Sequence, residues 1–170
     1  EAAKLFENTF RQVNIALVNE FAQITNALGI SVYETLDAAN TKPYGFMKFN
    51  PSAGVGGHCI PVDPTYLAAV AERVGVPATF IRRANEVNLE MPKYVVDRVQ
   101  ADNGGSLVGK SVLVVGVAYK PNVADVRETA AELVIGHLRE RGAVVSWHDD
   151  VVGNHRGQRD GFHNHHRCGR

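Results

Sequence analysis

The chain has 170 residues, 45% of them hydrophobic, which suits one compact domain or two small ones and excludes a wholly disordered segment. Its 18 basic residues balance 18 acidic ones, so no basic excess points to a nucleic-acid partner. No apolar run is long enough to span a bilayer, and two isolated cysteines, Cys59 and Cys168, make no disulfide framework and fit a reducing, cytoplasmic compartment.

The sequence is in a helical pattern from Glu1, with no leader ahead of it, as expected of a piece cut from a longer chain. Phe6, Phe10, Val13, Leu17, Phe21, Ile24 and Leu28 recur at three- and four-residue steps. They predict a long helix with one buried apolar stripe, ended by Gly29 in a left-handed cap. Ser31 and Glu34 have capping-box spacing for a short second helix. A Gly- and Pro-rich loop is expected from about Thr41 to Pro61. Asp63 and Pro64 have the residue types of an N-cap and a first helical position, opening a helix that runs to about Gly75. Another helix begins near Thr79, with Pro92 expected to break or restart it. Asn103-Gly104-Gly105-Ser106 reads as a linker between domains.

Beyond the linker the period changes. Ser111 to Val117 is a short β-branched run, expected to be a strand buried on both faces. Glu128 to Arg141 reads as a helix closed by Gly142, and Ala143 to Trp147 as a second strand ending at Asp149 and Asp150. Strand, helix and strand with short joins imply a right-handed βαβ unit. One such unit is too little for a stable sheet, so the domain is expected to stop short of completion. The stretch Asn154 to Arg170 holds four of the seven histidines and no hydrophobic period, and reads as disordered or foreign to the domain.

The densest chemical signal is Asn50 to Pro64, NPSAGVGGHCIPVDP. Gly54, Gly56 and Gly57 remove side chains just ahead of Cys59, which lets backbone approach a ligand closely. Cys59 lies a few residues before the expected helix start, where the dipole favours a thiolate. Asp63, four residues on, can orient water or a lysine. A buried cysteine in a glycine turn, with Asp63 merely capping a helix, fits these residues about as well.

Lys4 and Asn8 are four apart and share one helix face. Lys4 suits the rim of a pocket, although spacing alone favours an ordinary surface lysine. Gly116-Val117-Ala118-Tyr119 is not a G-x-G-x-x-G turn, and Tyr119 is bulky for a pyrophosphate approach. Lys120 and Arg127 in the loop that follows can meet phosphate by direct charge, or can belong to a solvated loop. His155, His163, His165, His166 and Cys168 match no standard zinc spacing, and no metal site is expected. His58 adjoins Cys59 but is not assigned as its base.

Taken together, EAAKLFENTF, FNPSAGVGGHCIPVDP and GVAYKPNVADVRET, in that order, resemble the UDP-sugar 6-dehydrogenase family, whose members act on UDP-glucose, UDP-N-acetylglucosamine or UDP-N-acetylmannosamine. The resemblance covers about Glu1 to Val152. It implies a mixed α and α/β fold, with an all-helical central dimerisation domain followed by a truncated Rossmann-like α/β UDP-binding domain. The central domain spans about residues 1–101 and the partial UDP-binding domain 106–152, with 153–170 as the tail. The N-terminal Rossmann domain that binds NAD in the family is expected to be absent. The partners implied are a UDP-sugar and a second copy joined through the first helix, with no nucleic acid or membrane.

Carried over by position, Cys59 is the nucleophile, Lys4 the oxyanion-stabilising lysine, and Asp63 the carboxylate assisting proton transfer and water. Asn8 helps hold the same water and the substrate. Phe49, Asn50, Pro51, Ser52 and Gly56 line the sugar nucleotide, Lys120 meets the substrate, and Arg127 meets the cofactor of the neighbouring subunit. The activity implied is NAD-dependent two-step oxidation of a C6 hydroxyl to the uronic acid through a cysteine thiohemiacetal and thioester. Val62 stands where the UDP-glucose branch usually carries a lysine, and the Pro43 region lacks that branch's arginine, so the chain looks more like the N-acetylhexosamine branch. The alternatives are a non-catalytic dimerisation and nucleotide-binding fragment, UDP-glucose as substrate, and a thiol hydrolase or acyltransferase. The last needs a histidine base that the sequence does not clearly supply.

Overall fold

Helix α1 spans Ala2–Ala27 in the computed structural model, which describes residues 1–57 and 59–156. It ends where Gly29 takes φ +69°, a conformation costly for any residue with a Cβ. The N–H groups of Gly29 and Ile30 return to the carbonyls of Asn26 and Thr25 at 3.1 and 2.8 Å, the Schellman pattern. Helix α2, Val32–Asn40, starts at Ser31, whose Oγ accepts the Glu34 N–H at 3.3 Å.

Most of the large side chains in the apolar stripe of α1 are left exposed, contrary to expectation, although Val13 packs against the inner cluster of the unit. Phe6, Leu17 and Leu28 are each about two-thirds exposed, while Asn8, Thr9, Gln12, Ala16, Val18, Asn19 and Thr25 are buried. Small and polar residues let helices approach closely: Ala16 clusters with Ala84 and Val87. The long side chains are left on another face.

Helix α3, Cys59–Arg73, begins four residues earlier than the Asp63-Pro64 pair suggests, so both residues lie inside it. Pro61 falls among the first four positions, whose N–H groups lack helical partners in any case. Only Pro64 leaves a rung unmade.

Helix α4, Thr79–Asp102, runs through Pro92 without the expected break. Two compact units, Glu1–Met91 and Pro92–Arg170, divide at that proline rather than at the glycine-rich stretch. Packing on either side outweighs the lost rung: Ala84 and Val87 are buried in the first unit, and Val96 belongs to the core of the second. Asn103–Ser106 is the turn leaving α4, closed by reciprocal bonds between Gln100 and Gly105 at 2.8 and 2.9 Å.

In the second unit, β1 (Ser111–Val115), α5 (Ala130–Glu140) and β2 (Val144–Asp149) form the expected β-α-β, with β1 and β2 parallel from Ser111↔Val144 to Val115↔His148. Gly153–Arg156 adds β3, antiparallel to β2, where the sequence suggests only a tail. The sheet order is β1-β2-β3. Val112 and Val114 pack against a core of Val96, Leu107, Val117, Ile135, Leu138, Ala143 and Val145. Leu113 and Val115 face outward and are exposed, so β1 is covered on one side rather than two. The Thr129 side chain caps α5 by accepting the Ala131 N–H. Among the described residues, no helix is long and apolar enough to cross a membrane.

Candidate active site

The first unit brings three of the sequence-selected residues together. Asn8, almost fully buried on α1, donates through Nδ2 to Asp63 Oδ2 at 2.7 Å across 55 positions of chain. Lys4, one turn earlier on the same helix, places its ammonium 3.8 Å from that oxygen. Asp63 is held by a neutral amide and a cation, and its carboxylate is mostly shielded from water. Lys4 is largely exposed, so solvent screens its charge. Cys59 is the first residue of α3, one helical turn before Asp63. Ahead of it, Gly57 is buried with φ +89°, a bend that a side chain would resist. His58 lies outside the described residues.

The Phe49–Ser52 segment is fastened to α1 at both ends. The Phe49 ring meets Phe10 edge-on, with centroids 6.0 Å apart. The Ser52 N–H donates to Asn19 Oδ1 at 2.8 Å, and Ser52 Oγ donates to the Gly54 carbonyl at 2.8 Å. Asn50 is exposed, while Pro51 and Gly56 are half-buried. A separate cavity of about 310 Å³ is lined by Leu17, Phe21, Leu36, Phe46, Met47 and Phe49. Of the candidate residues only Phe49 lines it, and its walls are apolar; it is not where the Lys4–Asn8–Asp63 group lies.

Lys120 and Arg127 lie in the loop between β1 and α5 of the second unit. Lys120 sits over the Tyr119 ring, 5.3 Å from its centroid, and Arg127 forms a two-pronged pair with Asp125 at 3.0 and 2.6 Å. The loop contains two non-glycine residues in the left-handed region, Asn122 at φ +62° and Glu128 at φ +51°. Such strain persists where surrounding bonds over-determine a segment.

Asp149, named from sequence only as a strand end, is the organising residue of this unit. Its buried carboxylate accepts four backbone N–H bonds: Val117 and Ala118 at 2.9 and 3.0 Å through Oδ2, Val151 and Val152 at 2.9 and 3.0 Å through Oδ1. One side chain thus fixes both the exit from β1 and the β2–β3 turn. The bond from Ala118, then those from Val152, Val117 and Val151, hold its pKa well below the usual carboxylate range. The Val117 and Ala118 amides are consumed by Asp149. In a dinucleotide-binding turn those amides would meet a pyrophosphate, so this turn does not fit that role.

Among the described residues no His, Cys, Asp and Glu group could hold a metal ion, and the histidine-rich residues 157–170 lie outside the description. Gln12, Asn19, Asn85 and Asn88 escaped the sequence reading. Their side chains pair as Gln12–Asn85 and Asn19–Asn88 between α1 and α4, with Asn88 also bonded to the Gln12 main-chain carbonyl, and the signal available was polar residues at helical spacing on α1's packed face.

Residues 1–90 match the central domain of the UDP-glucose/GDP-mannose dehydrogenase family, and residues 113–167 its UDP binding domain. The chain belongs to that family. It is 41% identical over 150 residues to a UDP-N-acetyl-D-mannosamine dehydrogenase of Methanococcus maripaludis, covering 88% of this chain and 34% of that protein. It is 39% identical over 161 residues to a UDP-N-acetyl-D-glucosamine 6-dehydrogenase of Pseudomonas aeruginosa, covering 89% and 36%. The solved UDP-glucose dehydrogenase of Pyrobaculum islandicum superposes with a TM-score of 0.81 at 32% identity, covering 89% of this chain and 35% of that one. The chain therefore spans about a third of the length of the curated relatives it matches.

Proposed function

We propose that this chain supplies the catalytic helical unit and the nucleotide-facing α/β unit of an NAD-dependent UDP-sugar 6-dehydrogenase, with Cys59 as nucleophile. The observation that carries the reading is the convergence of Lys4, Asn8 and Asp63 within one hydrogen-bonded group, one turn from Cys59.

The chemistry follows from those residue types. Position 59 opens a helix, where the N-terminal field favours a thiolate. Addition of that sulfur to a C6 aldehyde forms a C–S bond and moves an electron pair onto the carbonyl oxygen. The Lys4 ammonium lowers the cost of the developing oxyanion. Once C6 has reached the acyl oxidation level, the sulfur holds it as a thioester. Water held by Asp63 and Asn8 then attacks, a proton passes to Asp63, the C–S bond breaks, and a carboxylate and the thiolate result. A bound nicotinamide would supply hydride acceptance. What this chain contributes is the sulfur, the charge, the water and, through Phe49–Ser52, Gly56 and Lys120, the grip on the sugar nucleotide. Arg127 is assigned to the cofactor of a neighbouring subunit, exchanging Asp125 for phosphate.

The substrate favoured is a UDP-N-acetylhexosamine, supported by Val62 and by the names of the Methanococcus and Pseudomonas relatives. Self-association through α1 is the companion reading, supported by the exposed Phe6, Leu17, Ile24 and Leu28 on a single helix. In the full-length enzyme, Cys59→Ala is expected to lower uronic acid formation by at least about a thousandfold while leaving the circular dichroism spectrum unchanged. Undiminished turnover to the acid would end the proposal.

A further inference from the structure

From the buried amide ladder between α1 and α4, we infer that Asn19 is a positioning residue for the sugar-nucleotide segment; this rests on the assignment of Phe49–Ser52 to substrate. Asn19 is fully buried, yet each end of its amide is used. Oδ1 accepts the Ser52 N–H at 2.8 Å, and Nδ2 donates to Asn88 Oδ1 at 2.9 Å. Asn88 Nδ2 in turn donates to the main-chain carbonyl of Gln12 at 3.1 Å, and Gln12 Nε2 to Asn85 Oδ1 at 2.9 Å.

Burial of amides at a helix contact is costly unless they are hydrogen-bonded, as both ends of Asn19 and of Asn88 are, and an apolar pair would hold the same helices with less constraint. What the ladder adds is direction. Asn88 fixes which way the Asn19 amide faces, and that orientation presents an oxygen, not an NH₂, to Ser52. The segment ahead of Ser52 has no regular secondary structure, so this bond and the Phe49–Phe10 contact set its height above α1. Asn8, which holds Asp63, lies on the same helix, so one rigid element references both the carboxylate and the binding segment.

The test uses the full-length enzyme. Hydrogen exchange at the Ser52 amide and affinity for UDP-N-acetylmannosamine are measured for the wild type, Asn19→Leu and Asn19→Asp, with thermal melts confirming the fold. Leucine matches the volume and removes the acceptor; aspartate in this fully buried site is protonated, so that one oxygen accepts from Ser52 and its O–H donates to Asn88 Oδ1 as the native amide does. In Asn19→Leu, Ser52 protection is expected to fall about tenfold, the worth of one hydrogen bond, and nucleotide affinity to fall with it. Asn19→Asp restores both, which a role limited to helix packing would not produce. Lost protection with unchanged affinity, or unchanged protection, overturns the inference. If the wild type binds no sugar nucleotide, the substrate assignment fails and the positioning role with it. That failure is recognisable because Ser52 protection still drops in Asn19→Leu.

Discussion

Asp63 Oδ2 accepts from Asn8 and lies beside Lys4, while both oxygens of Asp149 are taken by backbone N–H groups, and the two carboxylates are suited to opposite tasks. Asp63 has a cation beside it, on a side chain that is largely exposed to solvent. In the full-length enzyme, Lys4→Met is expected to lower kcat by about 10²–10³-fold, as loss of an oxyanion stabiliser does. A kcat within a factor of two of wild type would remove Lys4 from the chemistry. Asp149 is structural. Asp149→Asn turns an NH₂ toward two N–H donors and lowers the melting temperature of the second unit by several degrees at neutral pH. Because the folded pKa is depressed, this stabilisation is fully present above the ordinary carboxylate value, about 3.9, and is lost as pH falls below it. Melting curves of wild type and variant should therefore converge in acid; a constant gap down to that range would contradict the assignment. Its role was illegible beforehand, since an aspartate at a strand end looks like any solvated turn residue.

Helix boundaries show which elements the sequence makes readable. The Gly29 cap and the Ser31–Glu34 start are local chemistry, legible from a few neighbouring residues. Gly29→Ala is expected to cost about 1 kcal/mol in urea unfolding, from the left-handed backbone alone. An unchanged midpoint would show that the cap can relax. Pro92 is the converse case: its propensity argues for a break, but burial of Ala84 and Val87 before it and Val96 after it carries α4 through. The stripe on α1 was legible as amphipathicity, but periodicity does not say whether a face meets its own chain or another. The structure leaves Phe6, Phe10, Leu17, Ile24 and Leu28 of that stripe exposed. If it joins two copies, Leu17→Glu converts a dimer to a monomer in light scattering. A wild-type chain that is monomeric at all concentrations would refute self-association through α1.

Across the whole molecule, the order of a helical unit and a small α/β unit was readable from the change of period, whereas the place where they divide was not, because α4 belongs to both. The Asn8–Asp63 pairing spans 55 positions, beyond any local spacing; only the resemblance put the two residues in one site. The family assignment rests on both units, and the catalytic reading rests on the first. Its central claim is that sulfur at position 59 carries the oxidised carbon. The direct measurement is mass spectrometry of the Cys59 peptide after acid quench of the full-length Asp63→Asn enzyme during turnover, where thioester hydrolysis is slowed. A uronyl-nucleotide adduct on Cys59, absent in the Cys59→Ala background, is the predicted result. Continued uronic acid formation with the Cys59 peptide unmodified at every time point would contradict the account.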